Sequence, residues 1–262
     1  MIKTDEYSEY LDFALTLAKE CGALAREYHS SDLSFEPKGD NSPVTKADVA
    51  INRLAIERCQ AAYPAIGILG EEESAAGSSE DLLWVCDPID GTTPYVLGMS
   101  ASTFCLALVK DGQPVVGVVY DFMNDRLYYA IKGQGAYLNG ERIVQPNYQP
   151  MKLINLEWWF IQAVPLQGTH ERFFEKGYQV MNYATCSFMS MQVATGRIAA
   201  TVYDGIYSWD VAAAKVIVEE CGGIVKSIVG EDQRYDGEIK GMIIAHADYY
   251  DEVFEVIKAS RI

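Results

Sequence analysis

The 262-residue chain carries 37 acidic and 21 basic residues, a formal net charge of −16, and 49% of its residues are hydrophobic. This hydrophobic share supports one large core or two joined lobes, and the negative charge disfavours nucleic acid and anionic membranes as partners. The sequence contains neither an apolar run of roughly 20 residues that could span a bilayer nor a readable secretory signal, so we expect a cytoplasmic protein.

Six cysteines stand singly along the chain, without a CxxC pair, and the three histidines are scattered. Isolated cysteines in apolar surroundings are typical of reduced thiols in a protein core. The same scatter leaves little material for a zinc site, which needs several such ligands close together.

The first part of the chain predicts two helices followed by strands. Apolar residues recur at helical spacing over 6–28, and a second helix should begin near Thr45 and end before Pro64. Short apolar runs at 66–69 and 82–86 predict strands, and acidic residues follow both of them.

The rest of the chain predicts a mixture of both elements. Over 103–143, apolar strands alternate with turn sequences, which indicates an antiparallel meander. Residues 146–185 predict strands and helices without a clear order. We expect a helix over 187–197, a helix capped by Ser208 and running through Val218, a strand over 241–245 and a helix over 249–258. Sheets with helices outside them imply a layered α/β (α+β) fold.

Three acidic clusters lie where predicted strands end or helices begin. They occupy residues 70–74, residues 87–93 and the Trp209-Asp210 pair. The ends of strands at the rim of a sheet are where open α/β folds bind ligands. Each cluster alone is more often a solvated loop, a charged surface or a helix cap. Only the combination of the three clusters indicates a ligand site.

The second cluster has the chemistry of a cation and phosphate site. Asp87 and Asp90 flank a proline that predicts a tight turn, so both carboxylates and the Ile89 carbonyl can face one point. Such an all-oxygen set suits Mg²⁺ better than zinc. Gly91 permits close approach of the backbone, and the N–H groups at Thr92 can meet a phosphate.

In this order the motifs resemble the inositol monophosphatase family of Mg²⁺-dependent, lithium-sensitive phosphatases. The family signatures stand at residues 87–92, at 209–213 followed by 220–223, and in a hairpin at 132–140. The resemblance covers roughly residues 5–260. It implies an α-β-α-β-α sandwich with mixed sheets, like that of inositol monophosphatase and fructose-1,6-bisphosphatase. We expect one unit over 1–262, with possible sub-lobes at 1–145 and 146–262.

The resemblance also implies roles for individual residues. Two or three Mg²⁺ ions should bind to Glu71, Asp87, the Ile89 carbonyl, Asp90 and Asp210. Water activated by these metals should attack phosphorus in line, oriented by Glu71 and Thr92, with Asp48 as the partner of Thr92. Phosphate or substrate contacts are expected at Asp90, Gly91, Thr92, Thr185, Cys186, Asp204 and Lys38.

The sequence departs from the family on the substrate side. Inositol-specific members carry a glutamate seven residues before the last metal ligand, where this chain has Tyr203, with Asp204 one step out of register. The substrate expected is a small polyol or sugar phosphate, such as inositol 1-phosphate. A fructose-1,6-bisphosphatase, another sugar or nucleotide phosphatase, and a non-catalytic regulatory protein stay open as alternatives. Family members are commonly homodimers, so a dimer is expected.

Overall fold

The computed structural model describes residues 6–144, 149–157 and 166–261. A short 3₁₀ helix over Ala247–Tyr249 precedes the last α-helix. The α-helices are α1 (Ser8–Ser31), α2 (Lys46–Ala62), α3 (Thr92–Val96), α4 (Thr169–Glu175), α5 (Cys186–Ala194), α6 (Ala212–Glu220) and α7 (Tyr250–Ser260).

The strands form two large sheets and one small ribbon. The ribbon pairs β1 (Phe35–Pro37) with β2 (Pro43–Thr45). The strands of the first large sheet are β3 (Gly67–Gly70), β4 (Leu82–Asp90), β5 (Thr103–Lys110), β6 (Gln113–Asp121), β7 (Arg126–Ile131), β8 (Ala136–Leu138) and β9 (Glu141–Arg142). Those of the second are β10 (Met151–Glu157), β11 (Gln179–Met181), β12 (Ile198–Tyr203), β13 (Ile224–Lys226) and β14 (Met242–Ala245).

The first sheet contains the predicted meander. Its strands lie in chain order from β3 to β9, and every pair is antiparallel except β3 with β4. Asp111 and Asn139 have positive φ angles of 51° and 50°, and a glycine with positive φ follows each of them. These are the left-handed turn residues that tight hairpins require.

The second sheet is mixed, with the order β11-β10-β12-β14-β13. Strand β10 runs parallel to both β11 and β12, and β14 runs antiparallel to β12 and β13. Because β10 and β12 are parallel and in register, Glu157 at the end of one strand lies opposite Tyr203 at the end of the other.

Helices and sheets alternate in five layers. Helices α1 and α2 pack on one face of the first sheet, and α6 packs on its other face. Helix α5 joins α6 in this middle layer and contacts β12 of the second sheet, whose strands β11 and β14 contact α4 and α7. The expected α-β-α-β-α sandwich with mixed sheets is therefore confirmed.

The core is shared between the two predicted sub-lobes. One buried cluster includes Val85 from the first sheet and Ile217 from α6, which lie on opposite sides of residue 145 in sequence. We infer that both halves fold as one unit. Among the residues described, the six cysteines are free and five of them are buried, as expected. Within the same ranges, none of the helices is long and apolar enough to cross a membrane.

Two local predictions were wrong. The proline between Asp87 and Asp90 does not make a tight turn, because β4 continues to Asp90. Asp87 pairs with Cys105 and Asp90 with Thr103, so three steps on β4 oppose two on β5, which makes a bulge. A bulge tolerates the missing N–H of proline, since the ladder is already interrupted there.

The second wrong prediction concerns the start of α6. This helix begins at Ala212 after Val211, and its first turn has no side-chain cap among the described residues. Ser208 contributes its backbone carbonyl instead, which accepts the Ala212 N–H at 2.8 Å. The chain therefore makes one preliminary turn through Asp210 before the helix proper.

The contact between β6 and α6 depends on the missing side chain of Gly117. A Cβ atom there would collide with the Ala213 backbone carbonyl of α6. We therefore expect Gly117→Ala to lower the free energy of unfolding by about 1–3 kcal/mol, because the helix must shift. Urea denaturation measures this. The control Gly237→Ala, where a Cβ atom meets nothing within 4 Å, should change stability by less than about 0.5 kcal/mol. Equal effects of the two substitutions would contradict this packing argument.

Candidate functional site

A cavity of about 210 Å³ opens where β4, β10, α3 and the turn before α6 come together. Its lining includes five carboxylates, an unusual density of negative charge for a partly enclosed space. They belong to Glu71, Asp87, Asp90, Glu157 and Asp210.

Three of these residues, Asp87, Asp90 and Asp210, form what we call the aspartate cluster. All three are buried, and one carboxylate oxygen from each lies within 4.8 Å of the others. Burial, followed by repulsion from Glu71, raises the pKa of Asp87 and of Asp210 well above the usual range. Like charges this close and this dry are unfavourable unless a cation or protons neutralise them.

The carboxylate of Asp90 also meets the N-terminus of α5. Burial raises the pKa of Asp90, but hydrogen bonds from this helix start oppose the rise. A helix N-terminus favours such an anion. Its donors are Thr185 Oγ1 at 2.5 Å, Ser187 N at 2.9 Å, Cys186 N at 3.0 Å and Phe188 N at 3.3 Å, together with Thr103 Oγ1 of β5 at 3.2 Å. Thr185 and Cys186, predicted as substrate contacts, thus donate to a predicted metal ligand.

A second polar unit joins α2 to α3. Thr45 and Asp48 form a reciprocal capping box at the start of α2. The other oxygen of Asp48 lies 3.2 Å from Thr92 Oγ1, which is also 3.2 Å from the Ile89 carbonyl. Burial raises the pKa of Asp48 to about 7. A threonine hydroxyl that donates to one of these oxygens keeps its lone pairs for a water or alcohol in the cavity.

Gly91 is required by the close approach of two elements. Its φ of +83° is left-handed, and a Cβ atom there would lie 2.8 Å from the Cβ of Thr185. The residue caps α3, which places Gly91 and Thr92 in the wall of the cavity.

Lys38 follows β1, and its side chain contacts the acidic segment after β3. Its Nζ is 2.7 Å from Glu71 Oε1 and 2.5 Å from Glu72 Oε1. Burial alone would lower the pKa of Lys38, but the two carboxylates raise it above its ordinary value. Two predicted site residues, Lys38 and Glu71, are thus paired with each other.

The substrate side differs most from the prediction. Asp204 is buried, but it is not among the described residues that line the cavity, whereas Glu157 is. Burial raises the pKa of Glu157 to about 7. Glu157 was not predicted as a site residue. It is a single acid at the end of an apolar run that forms a strand, and the same pattern at 66–69 and 82–86 did indicate site residues.

The donor chemistry fits a hard divalent cation. The aspartate cluster and the Ile89 carbonyl offer oxygen ligands, and neither histidine nor free thiolate lines the cavity within the described ranges. Burial raises the pKa of Cys186, which keeps its thiol protonated. Such a set is typical of Mg²⁺ sites and unlike zinc sites.

The fold agrees with comparisons to known proteins. The profile of the inositol monophosphatase family matches residues 6–260. The chain belongs to this family.

Individual relatives are distant but cover most of the chain. Inositol monophosphatase 1 of Sus scrofa is 28% identical over 249 residues, or 86% of each chain. The Nus factor SuhB of Pasteurella multocida is 31% identical over 223 residues, which cover 82% of this chain and 84% of that one. Among solved structures, an IMPase of Thermotoga maritima has a TM-score of 0.83 and 28% identity, with 96% of this chain and 97% of that chain covered.

The raised pKa values of the aspartate cluster predict how Mg²⁺ stabilises the fold. Aspartate in an unfolded chain has a pKa of about 4. Folding raises it, so the metal-free protein loses stability as the pH rises from about 4 through the folded-state values. A bound divalent cation offsets this loss. Mg²⁺ at about 100 times the dissociation constant that it has at pH 8 should raise the melting temperature by roughly 5–10 °C near pH 8. The same Mg²⁺ concentration should raise it by less near pH 5.5, because protonated carboxyl groups bind the cation more weakly.

Thermal unfolding with and without Mg²⁺ at both pH values measures this effect. Asp210→Asn should lose most of the Mg²⁺ response, while Asp12→Asn, on the exposed face of α1, should keep it. An equal Mg²⁺ response in both variants would mean that the cation binds elsewhere.

Proposed function

We propose that this protein is a Mg²⁺-dependent phosphomonoesterase that releases inorganic phosphate from a small polyol or sugar phosphate. One observation carries the proposal: the aspartate cluster shares a single cavity with the hydroxyl of Thr92, which is held by the buried Asp48. The cluster supplies a cation site, and the threonine supplies an orienting group for water beside it.

Two or three Mg²⁺ ions would be held by Glu71, Asp87, the Ile89 carbonyl, Asp90 and Asp210. Bound there, Mg²⁺ supplies Lewis-acid stabilisation of the charge on the phosphoryl oxygens and lowers the pKa of water. It also gives a strongly acidic protein a locally cationic floor that an anionic substrate can approach.

The chain's own residues would orient the reactants. Thr92 donates a hydrogen bond to Asp48 or to the Ile89 carbonyl and accepts one from the attacking water, and Glu71 accepts a hydrogen bond from the second O–H of that water. The backbone of Gly91 and Thr92 faces the phosphate. Phosphoryl transfer needs mainly such positioning and charge stabilisation, so an in-line attack without a phospho-enzyme is the expected course.

Cavity size and charge support a small substrate. A cavity of about 210 Å³ suits a small phosphorylated metabolite rather than a polymer. The net charge of −16 opposes nucleic acids and anionic membranes. Fructose 1,6-bisphosphate, inositol 1-phosphate and nucleotide phosphates belong in the same substrate panel. The homodimer and the lithium sensitivity expected from the resemblance stay predictions.

A regulatory binding protein is the second candidate, and the similarity to a Nus factor SuhB favours it. Such a protein works through contacts with other macromolecules and does not need turnover. The intact aspartate cluster and the Thr92–Asp48 pair favour the enzyme, because a binding protein has no need for either. Phosphate release by the purified protein separates the two candidates.

The aspartate cluster predicts that catalysis fails without Asp210. Asp210→Asn removes one negative charge from the cation site, so phosphate release from the panel should fall by roughly 10²–10³-fold or more. A colorimetric phosphate assay with Mg²⁺ measures this, and circular dichroism checks the fold. Asp12→Asn should retain wild-type rates. Undiminished turnover in a folded Asp210→Asn protein would defeat the proposal.

The hydroxyl of Thr92 gives a separate prediction. Thr92→Ala removes the group that orients the attacking water, so kcat should fall roughly 10²-fold with little change in the Mg²⁺ requirement. Thr92→Ser keeps the hydroxyl and should recover most of the rate. If serine and alanine at this position are equally slow, the hydroxyl has no orienting role.

A further inference from the structure

Glu157 is a cavity carboxylate that the proposed reaction does not use. The other four belong to the aspartate cluster or, in the case of Glu71, pair with Lys38. Within the described ranges Glu157 does neither, although it is only 3% exposed. A buried acid that faces a ligand cavity without a cation partner is costly, and such groups concentrate at functional sites.

The surroundings of Glu157 hold one of its oxygens and leave the other available. Its Oε1 accepts from Asn155 Nδ2 at 2.6 Å and from the Thr185 N–H at 3.1 Å. No donor among the described residues reaches Oε2. Within residues 6–144, 149–157 and 166–261 the side chain is thus fixed through Oε1, and Oε2 can accept a hydrogen bond from a donor on a ligand.

Thr185 connects Glu157 to the reaction centre. Its N–H donates to Glu157, and its hydroxyl donates to Asp90 at 2.5 Å. A single residue therefore separates Glu157 from the aspartate cluster. A ligand group that binds Oε2 would therefore share one cavity with the aspartate cluster.

The neighbouring strand end explains why this acid is needed. Tyr203, opposite Glu157 in the parallel pair β10–β12, is fully buried, and its side chain hydrogen-bonds to Asp210. Tyr203 thus supports the aspartate cluster and offers no carboxylate to a ligand. In-register neighbours on parallel strands point to the same face of the sheet, so Glu157 supplies the carboxylate at this edge.

We infer that Glu157 determines substrate specificity by accepting, through Oε2, a hydrogen bond from a hydroxyl close to the phosphate ester. The inference rests on the proposed function and narrows it to phosphates of polyols and sugars that keep a free hydroxyl near the ester. Asn182 adds a polar amide to the same cavity wall, and the small side chain of Ala184 leaves room for the alcohol.

Two esters with the same carbon skeleton test this role. Glycerol 2-phosphate carries hydroxyls on both carbons that flank the ester carbon, and isopropyl phosphate carries none. Glu157→Gln preserves an oxygen for Asn155 and Thr185 but turns the other acceptor into a donor. We expect kcat/KM for glycerol 2-phosphate to fall by roughly 10- to 100-fold and that for isopropyl phosphate to change by less than about 3-fold.

Two further variants keep the test decisive. Glu157→Asp retains the charge but withdraws it by one methylene, so it should also reduce the preference for the hydroxylated ester, and it substitutes for the glutamine variant if that protein fails to fold. Asp12→Asn, on the exposed face of α1, should preserve the ratio between the two esters.

Several results would overturn the inference. Equal losses for both esters in Glu157→Gln would show that Glu157 only positions Thr185 and Asp90. Unchanged kinetics for both esters, or the same loss of preference in Asp12→Asn, would remove Glu157 from substrate recognition. A wild-type protein that releases no phosphate from either ester would remove the proposed function, and this inference with it.

Discussion

The carboxylate of Asp90 holds the two halves of the candidate site together. It ends β4 of the first sheet, and it accepts hydrogen bonds from the start of α5, which lies almost 100 residues further along the chain. Ser187 in the same turn donates its hydroxyl to the Asp210 carbonyl at 2.7 Å. One helix start therefore sets the relative positions of two members of the aspartate cluster. The bulge in β4 turns Asp90 toward that helix.

The buried carboxylates lower the stability of the metal-free protein, but they provide oxygen ligands for a cation. Three buried carboxylates within 4.8 Å of one another are costly in a metal-free protein, and each of their pKa values is raised. The helix N-terminus stabilises the charge on Asp90. Divalent cations are the simplest means to neutralise the rest, and they also let a chain with a net charge of −16 bind an anionic substrate.

The sequence predicted well those features that local chemistry determines. The meander from β5 to β9, the start of α2 near Thr45 and the contact between Thr92 and Asp48 follow from turn residues, helical spacing and the family motifs. Glu220 and the hairpin at 132–140 belong to separate sequence motifs, yet Glu220 accepts hydrogen bonds from the N–H groups of Gly133 and Gly135 at 2.6 and 2.7 Å. The two motifs form one structural unit.

The features that the sequence did not predict depend on long-range pairing. Glu157 reaches the cavity because β10 pairs in parallel with β12, which begins about 40 residues later, and no local pattern specifies that neighbour. The bulge at Asp87–Asp90 exists because β5 continues to pair on both sides of the proline. Ser208 resembled a helix cap, but the turn through Asp210 moved the start of α6 three residues further.

The proposed function requires that the aspartate cluster binds divalent cations. Crystals soaked in Mn²⁺, an anomalous scatterer that replaces Mg²⁺ at oxygen sites, test it most directly. If the cluster binds divalent cations, anomalous peaks should lie between the carboxylates of Asp87, Asp90 and Asp210. Peaks confined to other parts of the surface, with this cluster empty at saturating Mn²⁺, would contradict it.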